Sequence, residues 1–586
     1  MDELTILALS VRILIALCTR TYFQPDEYFQ SLEPAHHIVF GYGYLTWEWL
    51  APQPIRSILY PALNVPIYTL LKITGLHNAG ALGEWLMIIS PKIMHGAFAA
   101  CTDIFLSEIT RKTIGPVYVP AAVFFSLTSF FHALSLSRSL SNSLETALTT
   151  IAFAQYPWDA SPNISIQLIY NRFNLRKCIL FSALACMIRP TNAVIWVFLY
   201  ANLLWAVKQN SFVLRRVLLD ILLIGSAAVT FLFAIDSAYY GKPTFTPLNF
   251  LRTNLSSVSS FYGTNAWYSY LLQTVPILCT TALPFTIDGI WVTITRSSTR
   301  DTPLRTMLMT LAWTITIFSF GSHKEWRFLH PILPLFHIFA AKSILDRSTR
   351  LQKISTKSNP SNTPFSPITT LAYRCGLQGI KQRYLVFTLL TLPASFFVVL
   401  VYGSAPISVL GFLRNIPAEE LGPSTVGFLM PCHSTPGFAY LHRKALTRAG
   451  SWALGCEPPL QHQYPSEYKD QTDIFYDSPQ EYLEMYFPKS VNPSFPPSPL
   501  PTSIVGKPAP EPMLSSEQGR LRHPWQHEWP KYLVFFGHLL WQEGVQDILE
   551  DNGYREVWKG GREFEGDEKR KGGVRVWKWH STIEDA

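Results

Sequence analysis

Charge is scarce in this 586-residue sequence. Asp, Glu, Lys and Arg make up 15% of it, against about 25% in an ordinary soluble domain. Hydrophobic residues account for 48% and aromatic ones for 14%. Several uncharged runs reach the ~20 residues that cross a bilayer, Tyr384 to Tyr402 being the cleanest. These absences exclude a soluble globular chain and point to an α-helical polytopic membrane protein. The excess positive charge, +8, sits mostly in short segments between apolar runs, where it orients a membrane protein and does not read nucleic acid. The eight cysteines form no CxxC or Cys/His spacing, so no metal site is expected. Cys432 and Cys456 alone share a polar region, and a disulfide is open to them if that region faces an oxidising space. There is no Gly-rich phosphate loop and no Asp-x-Asp, which argues against a sugar-nucleotide donor. No cofactor is called for. No internal repeat is found, which argues against a transporter built from two repeated halves.

The first apolar segment, about Leu4 to Thr19, lacks a small-residue cleavage site and reads as a retained anchor. Spans are expected at 4–19, 85–108, 117–135, 141–156, 178–188, 191–207, 217–235, 271–295, 306–321, 328–345 and 384–402. The pair flanking Arg189-Pro190-Thr191 is short and suits half-helices meeting at a polar break. Basic residues cluster on one side: Arg111 and Lys112; Arg172, Arg176 and Lys177; Lys208, Arg215 and Arg216; Arg296, Arg300 and Arg305; and the loop 346–383. That side is the cytoplasm by the positive-inside tendency. The division expected is a transmembrane module over 1–403, with a non-cytoplasmic loop at 21–84, and a small non-cytoplasmic α/β domain over 404–586. Within the latter, 488–512 is a proline-rich linker, Tyr532–Phe536 and Val574–Trp579 look like strands, and a helix is expected near His538–Asn552. The region between the first two spans, in which Gly41 to Trp49 has the aromatic character of interfacial segments, suits a pair of amphipathic helices lying on the membrane or one wall of a cavity above it.

What is present, against this apolar background, is a set of polar residues on the non-cytoplasmic side. Asp26 and Glu27 follow the first span within Tyr-Phe-Gln-Pro-Asp-Glu-Tyr-Phe-Gln-Ser-Leu-Glu. Arg138, Asn142 and Glu145 lie in Arg-Ser-Leu-Ser-Asn-Ser-Leu-Glu, Arg189 in Arg-Pro-Thr, and His323, Lys324, Glu325 and Arg327 in His-Lys-Glu-Trp-Arg-Phe. Ionisable groups at membrane depth cost desolvation energy and are usually kept for a task. A structural ion-pair network is the plain alternative for any one of them. As a set they suit group transfer from a lipid phosphate carrier, which needs a base for the incoming hydroxyl and cations for the departing phosphate. Asp26 can supply the base; Arg138, His323, Lys324 and Arg327 can supply the charge, arginine by its two-pronged grip on phosphate. Lys92 and Asp103, eleven residues apart on one helical face, suit helix packing. Arg12, inside the first span, suits either a polar cavity or the site.

These motifs, in this order, resemble the lipid-linked mannosyltransferases of the endoplasmic reticulum, glycosyltransferase family 22 of the GT-C superfamily. The likeness covers most of the chain to about residue 345. It implies a GT-C fold of about 11 transmembrane helices, a lumenal active site and dolichyl-phosphate-mannose as donor. Ser139 departs mildly from the family, which more often has Thr there. The acid motif, Phe-Gly-Tyr-Gly-Tyr-Leu-Thr-Trp-Glu-Trp, Phe261-Tyr262-Gly263 and Met430 to Pro436 look most like the branch that adds the third, α-1,2-linked mannose to the glycosylphosphatidylinositol (GPI) anchor precursor. The partners implied are the donor lipid and the GPI precursor glycolipid. A β-linked donor and an α product imply a single inverting displacement, with Asp26 as base and Glu27 as alternative base or orienting group. Asn142, Glu145, Arg189 and Glu325 are expected to support the site. Transfer to the lipid-linked N-glycan precursor, addition of a fourth GPI mannose, and membrane transport are the alternatives. Of two Asn-x-Ser sequons, Asn163 is expected in the cytoplasm and Asn254 in the lumen.

Overall fold

The computed structural model describes residues 3–159, 171–256, 258–261, 263–295, 302–355, 376–377, 379–459, 468–504, 513–514 and 521–581. Asn163, Arg296, Arg300, much of the loop 346–383 and the end of the 488–512 linker lie outside the described residues. The chain divides into two compact units, each assembled from separated stretches.

The first unit takes residues 1–19, 91–243 and 263–399 and is helical. Among the described residues, five helical stretches are long and apolar enough to cross a membrane: Pro190–Val207, Ser211–Tyr240, Tyr270–Thr295, Trp326–Thr349 and Gln382–Arg414. The other expected spans are also helical but shorter or more polar. Glu3–Cys18 has 16 residues and Ser141–Gln155 has 15, while Gly80–Thr113 carries charge along its length. Leu333–Ser355 is the packing axis of this unit, with Leu335, Ile338 and Phe339 all fully buried. Gly289 lets the helix Leu283–Thr295 come against it, since a Cβ there would meet the Phe339 carbonyl at 2.3 Å. Threonines set in apolar helices return their hydroxyls to the preceding turn, as Thr146 does to Asn142 O and Thr150 to Thr146 O, each at 2.7 Å. These two hydroxyls are thereby satisfied within their own helix.

The second unit takes residues 20–90, 244–262 and 400–586. The acid motif therefore packs with the C-terminal residues as well as with the short helices next to it in sequence. Its strands are β1 (Val426–Leu429), β2 (Ser451–Ala453), β3 (Met513–Leu514), β4 (Leu521–Arg522), β5 (Tyr532–Phe536), β6 (Tyr554–Gly560) and β7 (Val574–Trp579). Five of them form one sheet in the order β2-β1-β5-β7-β6. β1 lies parallel to β2 and β5, with Val426 opposite Ser451 and Tyr532, and the β5–β7 and β6–β7 pairs are antiparallel. β3 and β4 form a separate antiparallel pair. All five residues of β5 are buried, as expected of a strand covered on both faces. Tyr532, Val534 and Phe536 point to a layer containing Tyr28, Phe29, Leu32 and the helix Ala405–Arg414. Leu533 and Phe535 point to a second layer built on Phe475, Tyr482, Trp525 and Trp529.

Two details differ from the sequence reading. The stretch 538–552 is a 3-10 turn, Gly537–Trp541, and a separate helix, Val545–Asp551, divided at Gly544, whose φ of 70° no regular helix accepts. The aromatic region 21–84 forms short helices, among them Glu33–Phe40, Trp47–Leu50 and Val65–Ile73, and not one amphipathic pair. Gly41 at φ 78° ends the first of these, as glycine commonly does at a helix C-terminus.

Candidate active site

In the second unit, Asp26 and Glu27 occupy the tight turn that starts the motif helix. The Pro25 carbonyl accepts from the amides of Tyr28 and Phe29 at 2.9 and 3.0 Å. A π-helical turn follows directly, Tyr28–Leu32. Such turns release carbonyls from the helical ladder and recur at functional sites. Here the Phe29 carbonyl accepts from Trp49 Nε1 at 2.9 Å. Gln30 donates to Glu48 at 3.1 Å, and Arg56 closes the chain on the same carboxylate at 2.6 Å. Glu27 is enclosed, with 4% of its surface exposed, whereas Asp26 is only half-buried. Of the pair, Asp26 is the one a solute reaches.

Two groups brace this acid turn. The Tyr22 hydroxyl donates to the His433 carbonyl, and its ring stacks on Tyr28 with centroids 5.3 Å apart. Burial foremost, followed by the charges of Glu27 and Asp26, pushes the Tyr22 phenol well above its ordinary range, although Arg570 pulls it down. Glu33 ends the motif and is fully buried. Its carboxylate accepts from the amides of Tyr44, Phe438 and Ala439 at 2.8, 2.9 and 2.6 Å. Gly437 makes room for it, at φ 70° and with any Cβ only 3.0 Å from the Glu33 carboxyl carbon. Burial lifts the Glu33 pKa to about 7 while the three amides draw it down. Glu33 is a fastener between the acid motif and the 438–441 turn, a role the sequence reading did not assign.

In the first unit, most of the remaining polar residues meet. Glu145 lies 3.5 Å from Arg189 Nε and accepts from Asn142 at 3.2 Å and Asn192 at 2.9 Å. Asn142 also donates to the Arg327 carbonyl at 3.3 Å. Arg189 donates to Ser141 Oγ at 3.1 Å and lies 5.4 Å from the Phe328 ring centroid. Arg327 grips Glu325 with two bonds of 2.6 and 2.8 Å, and His323 Nε2 stands 3.2 Å from the same carboxylate. Burial would raise the Glu325 pKa, but the charges and hydrogen bonds of Arg327 and His323 hold it well below the usual carboxylate range. Arg138 is buried in the turn after the π-helical stretch His132–Leu136, its Nε donating to Leu134 O at 2.6 Å. Lys324 stands apart from the Glu325 pair, its amine donating to the carbonyls of Asn265 and Gly321 at 3.0 and 2.5 Å. Asn192 was missed by the sequence reading. The signal was its place directly after Arg-Pro-Thr, at the 3-10 turn that starts the next helix.

A further buried cluster lies in the same unit. Arg12 makes two bonds to Asp103, at 2.7 and 2.9 Å, and one to the Ser126 carbonyl at 2.8 Å. His132, His330 and His337 gather beside it, with ring centroids 5.1 to 5.3 Å from His132. Lys92 donates to Thr19 O at 2.6 Å. Lys92 and Asp103 therefore both fasten their helix to the first one, and Arg12 takes the polar-cavity role.

Cys432 and Cys456 form a disulfide, with Cα atoms 5.9 Å apart. His433 Nδ1 is 3.6 Å from Cys456 Sγ. These three groups have metal-ligand chemistry by type, but the sulfurs are bonded to each other and the thiolates a metal requires are not there.

Comparison with known proteins agrees across most of the chain. The model of the Alg9-like mannosyltransferase family matches residues 4–442. "GPI mannosyltransferase 3" of Yarrowia lipolytica is 34% identical over 82% of each chain. "Mannosyltransferase APTG1" of Arabidopsis thaliana is 33% identical over 74% of each. "GPI alpha-1,2-mannosyltransferase 3" of Mus musculus is 29% identical over 86% of this chain and 81% of its own. Among solved structures, ArnT from Cupriavidus metallidurans bound to undecaprenyl phosphate superposes with a TM-score of 0.54 over 99% of this chain and 98% of its own, at 11% identity. That likeness is one of fold: a GT-C membrane protein.

Proposed function

Because the chain belongs to the Alg9-like mannosyltransferase family, we propose that it transfers the third, α-1,2-linked mannose from dolichyl-phosphate-mannose to the GPI anchor precursor. The observation that carries this reading is the identity of 34% over 82% of each chain with a relative named for that step. Membership of a mannosyltransferase family removes the transporter alternative.

The reaction asked of the residues is one displacement. The acceptor's 2-hydroxyl attacks the anomeric carbon of the β-linked donor, its proton passes to Asp26, and the C–O bond to dolichyl phosphate breaks with the electron pair leaving on phosphate. Asp26 suits the base because it is half-buried beside an enclosed Glu27, so Glu27 is assigned to orientation. Phosphate is already a competent leaving group, so positive charge and not a proton is what it needs. Arg138, His323, Lys324 and Arg327 are assigned to that charge. Glu325 supports Arg327 and His323, Asn142 bonds the Arg327 carbonyl, and Glu145 pairs with Arg189 and accepts from Asn142. No metal is invoked.

The same reading places the protein in the endoplasmic reticulum membrane, with eleven crossings and with Asp26 and residues 404–586 in the lumen. The Cys432–Cys456 bond supports a lumenal face, since disulfides persist in that compartment and not in the cytosol. Asn254 is exposed at the end of the helix Thr246–Leu255. It is expected to carry an N-glycan, read as a gel-mobility shift on endoglycosidase treatment that Asn254→Gln abolishes. A glycan on Asn163 instead would overturn this topology.

The function is tested by supplying the purified protein with dolichyl-phosphate-mannose and, separately, mono-, di- and trimannosylated GPI intermediates and the lipid-linked N-glycan precursor. Transfer to the dimannosylated intermediate alone is expected. Transfer to the trimannosylated one or to the N-glycan precursor would move the assignment to a fourth-mannose or N-glycan enzyme.

A further inference from the structure

The loop that leaves β1 is closed on itself. The Cys432–Cys456 bond ties it to the segment after β2, Ser434 Oγ donates to Pro431 O at 2.5 Å, and His433 is held at φ 54°. A non-glycine residue in this left-handed region costs about 1–3 kcal/mol and persists where the surroundings over-determine it. Behind the loop lies a cavity of about 310 Å³, wholly within the second unit, near the lower end of ligand-pocket sizes. The rings of Phe29, Tyr44, His433 and Trp452 line it, together with Met430 and Leu454. His433 sits with its ring centroid 4.6 Å from Phe29 and 5.6 Å from Tyr44.

Two features narrow the occupant. His433 Nε2 and Trp452 Nε1 are buried and have no hydrogen-bond partner among the described residues. An acyl chain would leave both polar groups unsatisfied, at the full desolvation cost. None of the described residues lining the cavity is Lys or Arg, so a phosphate would find no counter-charge. A pyranose meets both conditions: its C–H face suits aromatic rings, and its hydroxyls give and take hydrogen bonds at the edge. The cavity also shares an element with the acid pair, because Phe29 is three residues beyond Asp26 on the same turn. The Asp26 charge reaches the His433 ring, raising its pKa against a larger lowering by burial that leaves it at about 4. His433 is therefore neutral at lumenal pH, with one ring nitrogen able to accept and the other to donate.

We propose that this cavity is the acceptor-sugar subsite, receiving a hexopyranose of the acceptor glycan with its face on the aromatic wall and its hydroxyls on His433 Nε2 and Trp452 Nε1. The proposal rests on the acceptor reading given above and adds where the sugar is held. It assigns the Met430–Pro436 loop and β2 to substrate selection.

The test uses the full-length protein in detergent with dolichyl-phosphate-mannose and the dimannosylated GPI intermediate. Trp452→Phe keeps an aromatic ring, though a smaller one, and removes the N–H. Ala453→Trp, at an exposed residue lining the cavity, fills the space. The acceptor KM should rise about tenfold in Trp452→Phe, the worth of one hydrogen bond, and further in Ala453→Trp. Donor KM and kcat at saturating acceptor should hold in both. A lipid-free dimannoside should compete with the acceptor in the wild type and lose that effect in Ala453→Trp. Acceptor KM within twofold of wild type in both variants would overturn the subsite, as would an equal rise in donor KM, which marks general damage. A wild-type protein that transfers nothing to this glycolipid while using another acceptor overturns the acceptor reading itself, and the two failures are told apart by that control.

Discussion

Asp26→Asn lowers kcat for mannosyl transfer by about 10²- to 10⁴-fold, the usual worth of a general base, or roughly 3–5 kcal/mol in the barrier. The amide is isosteric and cannot take the acceptor's proton. Asp26 is half-buried, so the change should leave chromatographic behaviour and thermal unfolding in detergent as they are in the wild type. Glu27→Gln provides the contrast. Glu27 is enclosed and its charge bears on the buried phenols of Tyr22 and Tyr60, so its loss should act on orientation and stability more than on proton transfer. Initial rates with saturating donor and acceptor separate the two. A rate for Asp26→Asn within fivefold of wild type would remove Asp26 from the chemistry, and a deep loss confined to Glu27→Gln would transfer the role to its neighbour.

Asp103→Leu should destabilise the protein by about 3–5 kcal/mol, and Arg12→Met comparably. Both side chains are fully buried and bonded through two contacts of 2.7 and 2.9 Å. Removing one leaves the other as an uncompensated charge in a low-dielectric interior. The double variant removes both charges together and should recover much of either loss, because two apolar residues can replace a buried pair at little net cost. Thermal unfolding in detergent, run as a double-mutant cycle, reads this directly. Single variants as stable as the wild type would mean that water reaches the pair and screens it. The neighbouring His132, His330 and His337 make the cycle more informative, since they add no negative charge that could stand in for Asp103.

Much of this molecule could be read from residue order alone, and the limit of that reading has a physical cause. Helices in the first unit were legible because an apolar run of given length has few alternatives in a bilayer. The acid pair and the three basic motifs stood out because charge is conspicuous against such a background. What could not be read were contacts between segments far apart. Glu33 accepts from amides 405 and 406 residues away, and no periodicity announces that. β1, four residues long, is too short to signal a strand, and its parallel partner β5 lies about a hundred residues on. The boundary near residue 403 follows composition, whereas the compact unit follows contacts and takes in residues 20–90 as well. Asn192 went unnoticed because an uncharged amide draws no attention until its bonds to Glu145 and Thr149 are seen.

The layered sheet carries an implication for biosynthesis. Tyr28 and Phe29 lie in the same buried layer as Val574 and Val576 of the last strand, and β7 is the hydrogen-bonded neighbour of β5. The turn holding Asp26 is thus seated on backbone synthesised long after it. A nascent chain can insert its helices as they emerge but lacks the support of the Asp26 turn until β7 has been made. Premature termination anywhere before β7 should yield inserted, inert protein.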